Sequence, residues 1–401
     1  MVAACRLTTK GSMQKFISLF SGCGGMDLGL EASGLVGALA VDIDEVALDV
    51  HARNISVPTA QLDLATADLP LEAFKGVDVL VGGSPCQGFS TVGHRRLEDP
   101  RNRLLLATSR FATAARPRVV VAENVPGVKS GAHKRYWDSL HQSLRACGYR
   151  TQDLLLNSAD HGVPQARKRV FMVAWRTGKD AEFTSAPVRQ STLADALKNV
   201  EGLPDHVPQL LRPGSADHTI SGHIGPGQKL TNSRAGSSAV HTWNIPQVFG
   251  KTTSRERDIL ETMLRLRRQD RKREFGDADP IHWRKLFNIF DKAEIDALVQ
   301  KQYIRKLGQH YDLTGTFNGK YRRLKRDSQS CTVDTRFGQA RAFLHPYEHR
   351  GFTVREAARI QGFPDNFLFG GTDKQRYRMI GNAVPPAMAR SIGDFVSFLL
   401  D

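Results

Sequence analysis

Gly82-Gly83-Ser84-Pro85-Cys86-Gln87-Gly88-Phe89 follows a short apolar run, Val77-Asp78-Val79-Leu80-Val81. The run reads as a buried strand that ends in a loop. Two glycines permit a sharp turn there, while Pro85 fixes its own φ and pushes Ser84 towards an extended shape. The loop is therefore expected to hold Cys86 stiffly at the carboxyl end of a strand, the edge where open α/β sheets bind ligands. A cysteine nucleophile needs such a place, partly exposed and near positive groups that favour the thiolate. An isolated free cysteine is more often inert core, so the weight falls on its surroundings.

Upstream, Lys15-Phe16-Ile17-Ser18-Leu19-Phe20 predicts a buried strand, Ser21-Gly22-Cys23-Gly24-Gly25 a turn, and Met26 to Glu31 a helix start. Strand, glycine turn and helix is the layout of a nucleotide-type cofactor site, where the backbone approaches the ligand and the helix N-terminus offers free N–H groups. A second strand, Val36 to Val41, ends in Asp42-Ile43-Asp44, where such folds hold a ribose diol. A helix over Glu45–Asn54 brings the chain back, and Asp63 sits at a third strand tip. Downstream of Cys86, Leu104 to Ala115 predicts a helix, and Arg118 to Ala122 a buried strand ending in Glu123-Asn124-Val125. If the two strands are neighbours, Glu123 lies near Cys86. Residues two apart in a strand share a face, so Gln165, Arg167 and Arg169 point one way before Val170 to Ala174. This alternation to about residue 175 predicts an α/β fold, a doubly wound and mostly parallel sheet.

The chain has 401 residues and a net charge of +15, which points to a polyanionic partner, most simply nucleic acid. Five scattered cysteines form neither a disulfide framework nor a zinc site, and fit a reducing cytoplasm; no metal is expected. No apolar run is long enough to span a membrane, and the N-terminus lacks a signal-peptide core. Beyond residue 175 the texture changes. Residues 176–250 are rich in Gly, Pro, Ser, His and Thr; 255–268 predicts an amphipathic helix and Lys292 to Gln302 another. Asn318-Gly319 signals a hairpin within 301–326, a stretch with eight Lys/Arg against one acid and interleaved aromatics. Helix, helix and basic hairpin resembles a winged helix over 255–326. Arg355 to Ile360 reads as a helix stopped at Gly362-Phe363-Pro364, and Gly381-Asn382-Ala383-Val384-Pro385-Pro386 leads into a C-terminal helix.

Taken together, these motifs resemble the DNA (cytosine-5) methyltransferases. The carrying residues are Phe20-Ser21-Gly22-Cys23-Gly24-Gly25, Pro85-Cys86-Gln87, Glu123-Asn124-Val125, the Gln165, Arg167 and Arg169 strand, Arg355 to Pro364, and Gly381-Asn382-Ala383-Val384. The resemblance implies a catalytic domain of residues 1–175 plus 329–401 and a target-recognition domain at 176–328. It implies S-adenosylmethionine as methyl donor, with Phe20 on the adenine and Ser21, Gly22, Cys23, Gly24 and Gly25 near its amino-acid part. Asp42, or Asp44 in its stead, would hold the ribose. Ile43, Asp63, Leu64, Pro85, Leu104, Asn382 and Val384 would complete the pocket. Cys86 would be the nucleophile and Glu123 the acid, with Arg167 and Arg169 holding the base. Gln87, Ser90, Arg95, Arg96, Gln165, Lys320, Arg322 and Arg323 would meet DNA.

The function implied is methylation of carbon 5 of a flipped-out cytosine in a specific duplex sequence, by a cytoplasmic monomer. It would serve restriction–modification, with a companion endonuclease, or another defence or epigenetic role. A tRNA-modifying branch shares the motifs, and a non-enzymatic DNA-binding member is a second alternative. The long basic segment favours duplex DNA, and intact Cys86, Glu123 and Arg169 favour an enzyme. A nicotinamide enzyme shares the first helix turn and acid, but not Pro-Cys-Gln with Glu-Asn-Val.

Overall fold

A computed structural model describes residues 13–66, 71–85, 104–186, 188–269, 271 and 278–401. Two compact units emerge: Met1–His206 with Asp327–Thr335 and Val354–Asp401, and Val207–Arg326 with Arg336–Thr353. The division expected at residues 176 and 328 therefore shifts. Residues 176–206 belong with the first unit, anchored in part where Leu193 N–H donates to Ser328 O, 2.9 Å. Residues 336–353 belong with the second.

The first unit is built on a seven-stranded sheet. Its strands are β1 (Lys15–Leu19), β2 (Val36–Asp42), β3 (Thr59–Gln61), β4 (Val79–Gly83), β5 (Val119–Asn124), β6 (Arg150–Asn157) and β7 (Lys168–Trp175), in the order β3-β2-β1-β4-β5-β7-β6. The strands from β3 to β5 pair in parallel, and β7 lies antiparallel between β5 and β6. Both faces are covered, which is why the central strands are runs of valine, isoleucine and leucine rather than alternating sequences. Ile17, Leu80 and Val120 face one core with Phe111 of α3 (Leu105–Ala115) and Trp137 of α4 (Lys134–Ala146). Phe16, Val79, Val81, Val119 and Val121 face the other, with Leu30 of α1 (Gly25–Glu31) and Met388 and Ile392 of the C-terminal helix Pro386–Leu400. α2 (Glu45–Asn54) is capped by Asp44, whose side chain accepts from Ala47 N–H. The observed fold is the α/β doubly wound sheet that the sequence predicts, with β6 as an addition. No helix among the described residues is long and apolar enough to cross a membrane.

The second unit has two apolar centres. Ile220, Ile224, Leu230, Val240, Ile245, Tyr321 and Leu344 form one. The other is formed mainly by residues 254–313, with Ile259, Met263, Leu286, Leu298 and Tyr311 among its buried members, and Trp243 joins it from the preceding segment. There the order is helix Ser254–Gln269, strand Ile281–His282, helices Trp283–Phe287 and Lys292–Gln300, and strands Ile304–Leu307 and His310–Leu313. The last strand is central in a three-stranded antiparallel sheet. This is the winged-helix order, but its hairpin turns at Gly308-Gln309 rather than at Asn318-Gly319. The Asn-Gly signal is overridden because Lys320 pairs with a distant segment: Leu230 N–H donates to Lys320 O, 2.8 Å, and Lys320 N–H to Leu230 O, 2.9 Å.

Arg323, expected at DNA, is buried instead. Its guanidinium donates to Ile224 O, His345 O, Glu348 O, Ser221 O and Ser221 Oγ, at 2.6–3.0 Å. Removing it strands several buried acceptors, each of which loses its partner without regaining water. Arg323→Ala is expected to destabilise the second unit by on the order of 3 kcal/mol. Urea unfolding followed by the tryptophan fluorescence of this unit checks it. Lys320 is exposed, with its ammonium 4.6 Å from the Phe317 ring centroid, and Arg322 is half-buried.

Candidate active site

The carboxyl edge of the sheet opens into a cavity of about 360 Å³. Its wall begins at the end of β1. Phe20 there has φ 56°, a left-handed backbone that is strained for a bulky residue and is found mainly at functional sites. The turn that follows is tied to the next strand: Ser21 N–H donates to Val41 O, 3.1 Å, and Gly22 N–H to Asp42 Oδ2, 2.8 Å. Asp44 N–H donates to the other oxygen of Asp42, 2.9 Å. Each carboxylate oxygen keeps a further lone pair, so Asp42 retains the capacity to accept from a ligand. Asp44 caps α2 and pairs with Arg378. At the tip beyond β3, Asp63 accepts from Ala65 N–H, 2.9 Å.

The opposite wall comes from the far end of the chain. Asn382 ends the helix Asp373–Asn382, and Ala383 continues in extended backbone. A Cβ on Gly25 would lie 2.6 Å from Val384 O, so only glycine lets this segment close over the first turn of α1. Phe20, Ser21, Gly22, Cys23, Gly25, Asp42, Ile43, Asp63, Leu64, Pro85, Leu104, Asn382 and Val384 all line the one cavity. Gly24 does not; it caps α1 in a left-handed conformation. The thiol of Cys23 is buried, and desolvation pushes its pKa up to about 12, so it stays neutral. Cys23 is accordingly expected to resist iodoacetamide in the folded protein at pH 8, as peptide mapping will report.

β4 and β5 lie side by side in register, with Gly83 opposite Glu123. The carboxylate that the sequence predicts near Cys86 is thus one strand away from a residue three positions before it. Cys86 itself lies outside the described residues, as do Gln87, Ser90, Arg95 and Arg96. The loop leading to it is held by Asn124, whose Nδ2 donates to Ser84 Oγ at 3.1 Å and Ser84 O at 3.3 Å. Glu123 is buried and meets Arg169 Nε at 2.9 Å. Burial pushes the Glu123 carboxyl above the usual range, and outweighs the opposing pull of Arg169 and Arg167.

Two residues of the expected charged strand turn out differently. Arg167 and Gln165 lie before β7 rather than in it, where the segments at 333, 361 and 381 engage them, and of the three only Arg169 lines the cavity. Arg167 is fully buried and donates to Val333 O, 3.0 Å, and Gly381 O, 2.8 Å. It acts on Glu123 through its charge, and it anchors the segment that carries Asn382. Gln165 is fully buried too, donating to Gln361 Oε1, 2.6 Å, and accepting from Val333 N–H, 2.7 Å, so it does not face DNA. Met26, Arg378 and Met379 also line the cavity and were not singled out in the sequence, and Ser84 and Val125, quoted there as motif residues without a pocket role, line it too. Arg378 and Met379 lie on a helix announced by Thr372-Asp373-Lys374-Gln375, a capping box formed in the structure and readable from the chain.

The strand order, with a cavity at the carboxyl edge, defines a Rossmann-like α/β architecture. Comparison with known proteins narrows the class. The sequence model of the C-5 cytosine-specific DNA methylases matches residues 14–397, and the chain belongs to that family. The type II methyltransferase M.HgiCII of Herpetosiphon aurantiacus is 30% identical over 94% of this chain and 95% of its own length. M.DdeI of Desulfomicrobium norvegicum is 28% identical over 96% and 89%. Among solved structures, a candidate DNA modification methyltransferase encoded within an E. coli prophage has a TM-score of 0.60 at 25% identity, covering 96% of this chain and 99% of that one. A methyltransferase of Entamoeba histolytica shares the fold, with a TM-score of 0.58 at 16% identity over 98% and 100%. The chain is a DNA (cytosine-5) methyltransferase, similar along nearly its whole length to type II methyltransferases of bacteria.

Proposed function

We propose that the chain transfers a methyl group from S-adenosylmethionine to carbon 5 of a cytosine within a specific duplex DNA sequence, through a covalent adduct with Cys86. The observation that carries this reading is the buried Glu123–Arg169 pair, 2.9 Å apart, on the cavity edge and one strand from the Pro-Cys loop. A cavity of about 360 Å³ suits a nucleoside-sized ligand, and the residues around it fit the donor. Asp42 would hold the ribose hydroxyls, Asp63 the adenine amino group and Phe20 the adenine face, while Gly25 leaves room for the amino-acid end. When bound, the donor supplies the methyl group.

Carbon 5 of cytosine is a poor nucleophile. Addition of the Cys86 thiolate to carbon 6 makes the ring enamine-like and carbon 5 reactive. Negative charge develops on the ring as the sulfur adds, and a proton or hydrogen bond from Glu123 to ring nitrogen 3 relieves it. Arg169 holds the exocyclic oxygen, favours the thiolate by its charge and keeps Glu123 oriented. Loss of the proton at carbon 5 then expels Cys86 and restores the ring. The target base is inaccessible while stacked, so it has to leave the helix, at a cost of a few kcal/mol. The second unit, Val207–Arg326 with Arg336–Thr353, is the part assigned to reading sequence.

The test is expression in a host without cytosine methylation, followed by bisulfite sequencing of its genome. A single short motif bearing 5-methylcytosine is expected. Transfer to tRNA but not to duplex DNA in parallel assays would overturn the reading.

A further inference from the structure

The winged-helix part of the second unit, residues 254–313, has its own core and an uneven distribution of charge. A winged helix ordinarily reads DNA by laying its third helix in the major groove. That position is taken here by Lys292–Gln300, and its surface is wrong for the task. Between Asp291 and Gln300 stand three carboxylates, Asp291, Glu294 and Asp296, against the single cation Lys292. Glu294 is also committed, accepting from Arg255 Nε at 2.7 Å and Nη2 at 3.0 Å. A polyanion is repelled by such a face.

The other end of the subdomain has the opposite character. His282-Trp283-Arg284-Lys285 and Arg305-Lys306-Leu307-Gly308-Gln309-His310 hold four Lys/Arg and no carboxylate. The sheet brings the two stretches together: His282 pairs with His310 across the strands, and Trp283 N–H donates to Gln309 O, 3.0 Å. Arg305 is partly neutralised by Asp312, 2.7 Å away, so the exposed charge of interest rests on Arg284 and Lys306. Two exposed apolar side chains stand among these cations. Trp283 is 37% accessible, with the Arg284 guanidinium 5.5 Å from its ring centroid, and Leu307 at the hairpin tip is 44% accessible. An exposed tryptophan dressed by cations is unusual on a solvated surface, and it matches what nucleic acid offers: phosphates for the charges and sugar or base faces for the indole.

We propose that this subdomain grips the backbone of the substrate duplex with its hairpin and the start of the short helix, through Trp283, Arg284 and Lys306, and not with the helix Lys292–Gln300. The proposal rests on the duplex-DNA reading above, and names the surface that serves it. The hairpin is narrow enough to follow a groove, and its cations position the protein while bases are read elsewhere in the unit.

Binding of the full-length protein to a fluorescein-labelled duplex carrying the mapped motif, followed over a salt series, tests this. Arg284→Ala with Lys306→Ala is expected to weaken binding and to lower the slope of log K against log salt by about two, one per lost phosphate contact. Trp283→Ala is expected to weaken binding with the slope unchanged, because an indole releases no counterion. Lys292→Ala with Gln300→Ala is expected to change neither. Retained thermal midpoints and retained binding of S-adenosylhomocysteine keep the comparison among folded proteins. Unchanged affinity and slope in the Arg284/Lys306 variant, or a lost slope in the Lys292/Gln300 variant, overturns the proposal. Wild-type protein that holds S-adenosylhomocysteine yet ignores duplex DNA overturns the parent reading as well.

Discussion

Cys86→Ala abolishes methyl transfer and leaves binding of donor and duplex largely intact; this is the largest effect expected of any single substitution. The reason is chemical. Without the sulfur nothing raises the electron density at carbon 5, and no neighbouring side chain of the donor cavity replaces it. Cys23, the one cysteine among the described residues that lines the cavity, holds its proton to a pKa of about 12 and so presents no thiolate near neutral pH. Single-turnover transfer to a radiolabelled duplex checks the loss. A duplex containing 5-fluorocytosine checks the assignment, because fluorine blocks the final elimination and traps the adduct. An adducted peptide carrying Cys5, Cys23, Cys147 or Cys331 would refute it.

Glu123→Gln should lower the single-turnover rate by roughly 10²–10⁴, the usual worth of a positioned acid or base. The amide keeps the shape and one hydrogen bond but carries no transferable proton. Burial raises the Glu123 pKa despite two arginines, so the folded protein takes up a proton that the unfolded chain releases. The sign follows from linkage. Between the ordinary carboxylate range and the raised value, the native state binds more protons than the unfolded state, so the stability contributed by this group falls as pH rises. The rate has the same sense, since the acid form is lost on the alkaline side. Glu123→Gln should flatten both dependences, which chemical denaturation and transfer rates measured across pH will report. A near-wild-type rate for the amide would remove Glu123 from the mechanism.

The donor cavity was legible in the chain because its residues sit at strand ends, and strand ends are easy to find. Valine-rich runs mark β4 and β5, so Gly83 and Glu123 announce themselves as edge residues even before their pairing is known. Long-range packing was not legible. Arg167 and Arg169 have the same periodicity; only the segments at 333 and 381, far along the chain, decide that one anchors carbonyls while the other meets Glu123. Gln165 misled for the same reason. β6 lacks the apolar density of its neighbours, Arg150-Thr151-Gln152-Asp153 opening it, and gains its place by pairing with β7. Arg323 looked like one more cation in a basic stretch, yet five acceptors from two separate segments, 221–224 and 345–348, draw it inward.

The closure of the cavity by Asn382–Val384 has a consequence for how the protein is made. Gly25 and Val384 meet across almost the whole chain, and the contact is completed by a helix, Pro386–Leu400, packed on α1. The strands β1 to β5 are synthesised early and can begin to associate, but the donor site they frame lacks a wall until translation passes residue 384. A nascent or prematurely terminated chain therefore carries Phe20, Asp42 and Asp63 without the ability to hold a donor firmly, and contacts of such sequence separation form late and slowly. On the proposed reading, the donor site is therefore assembled only after residue 384 has been made, and its maturation follows the folding of the sheet.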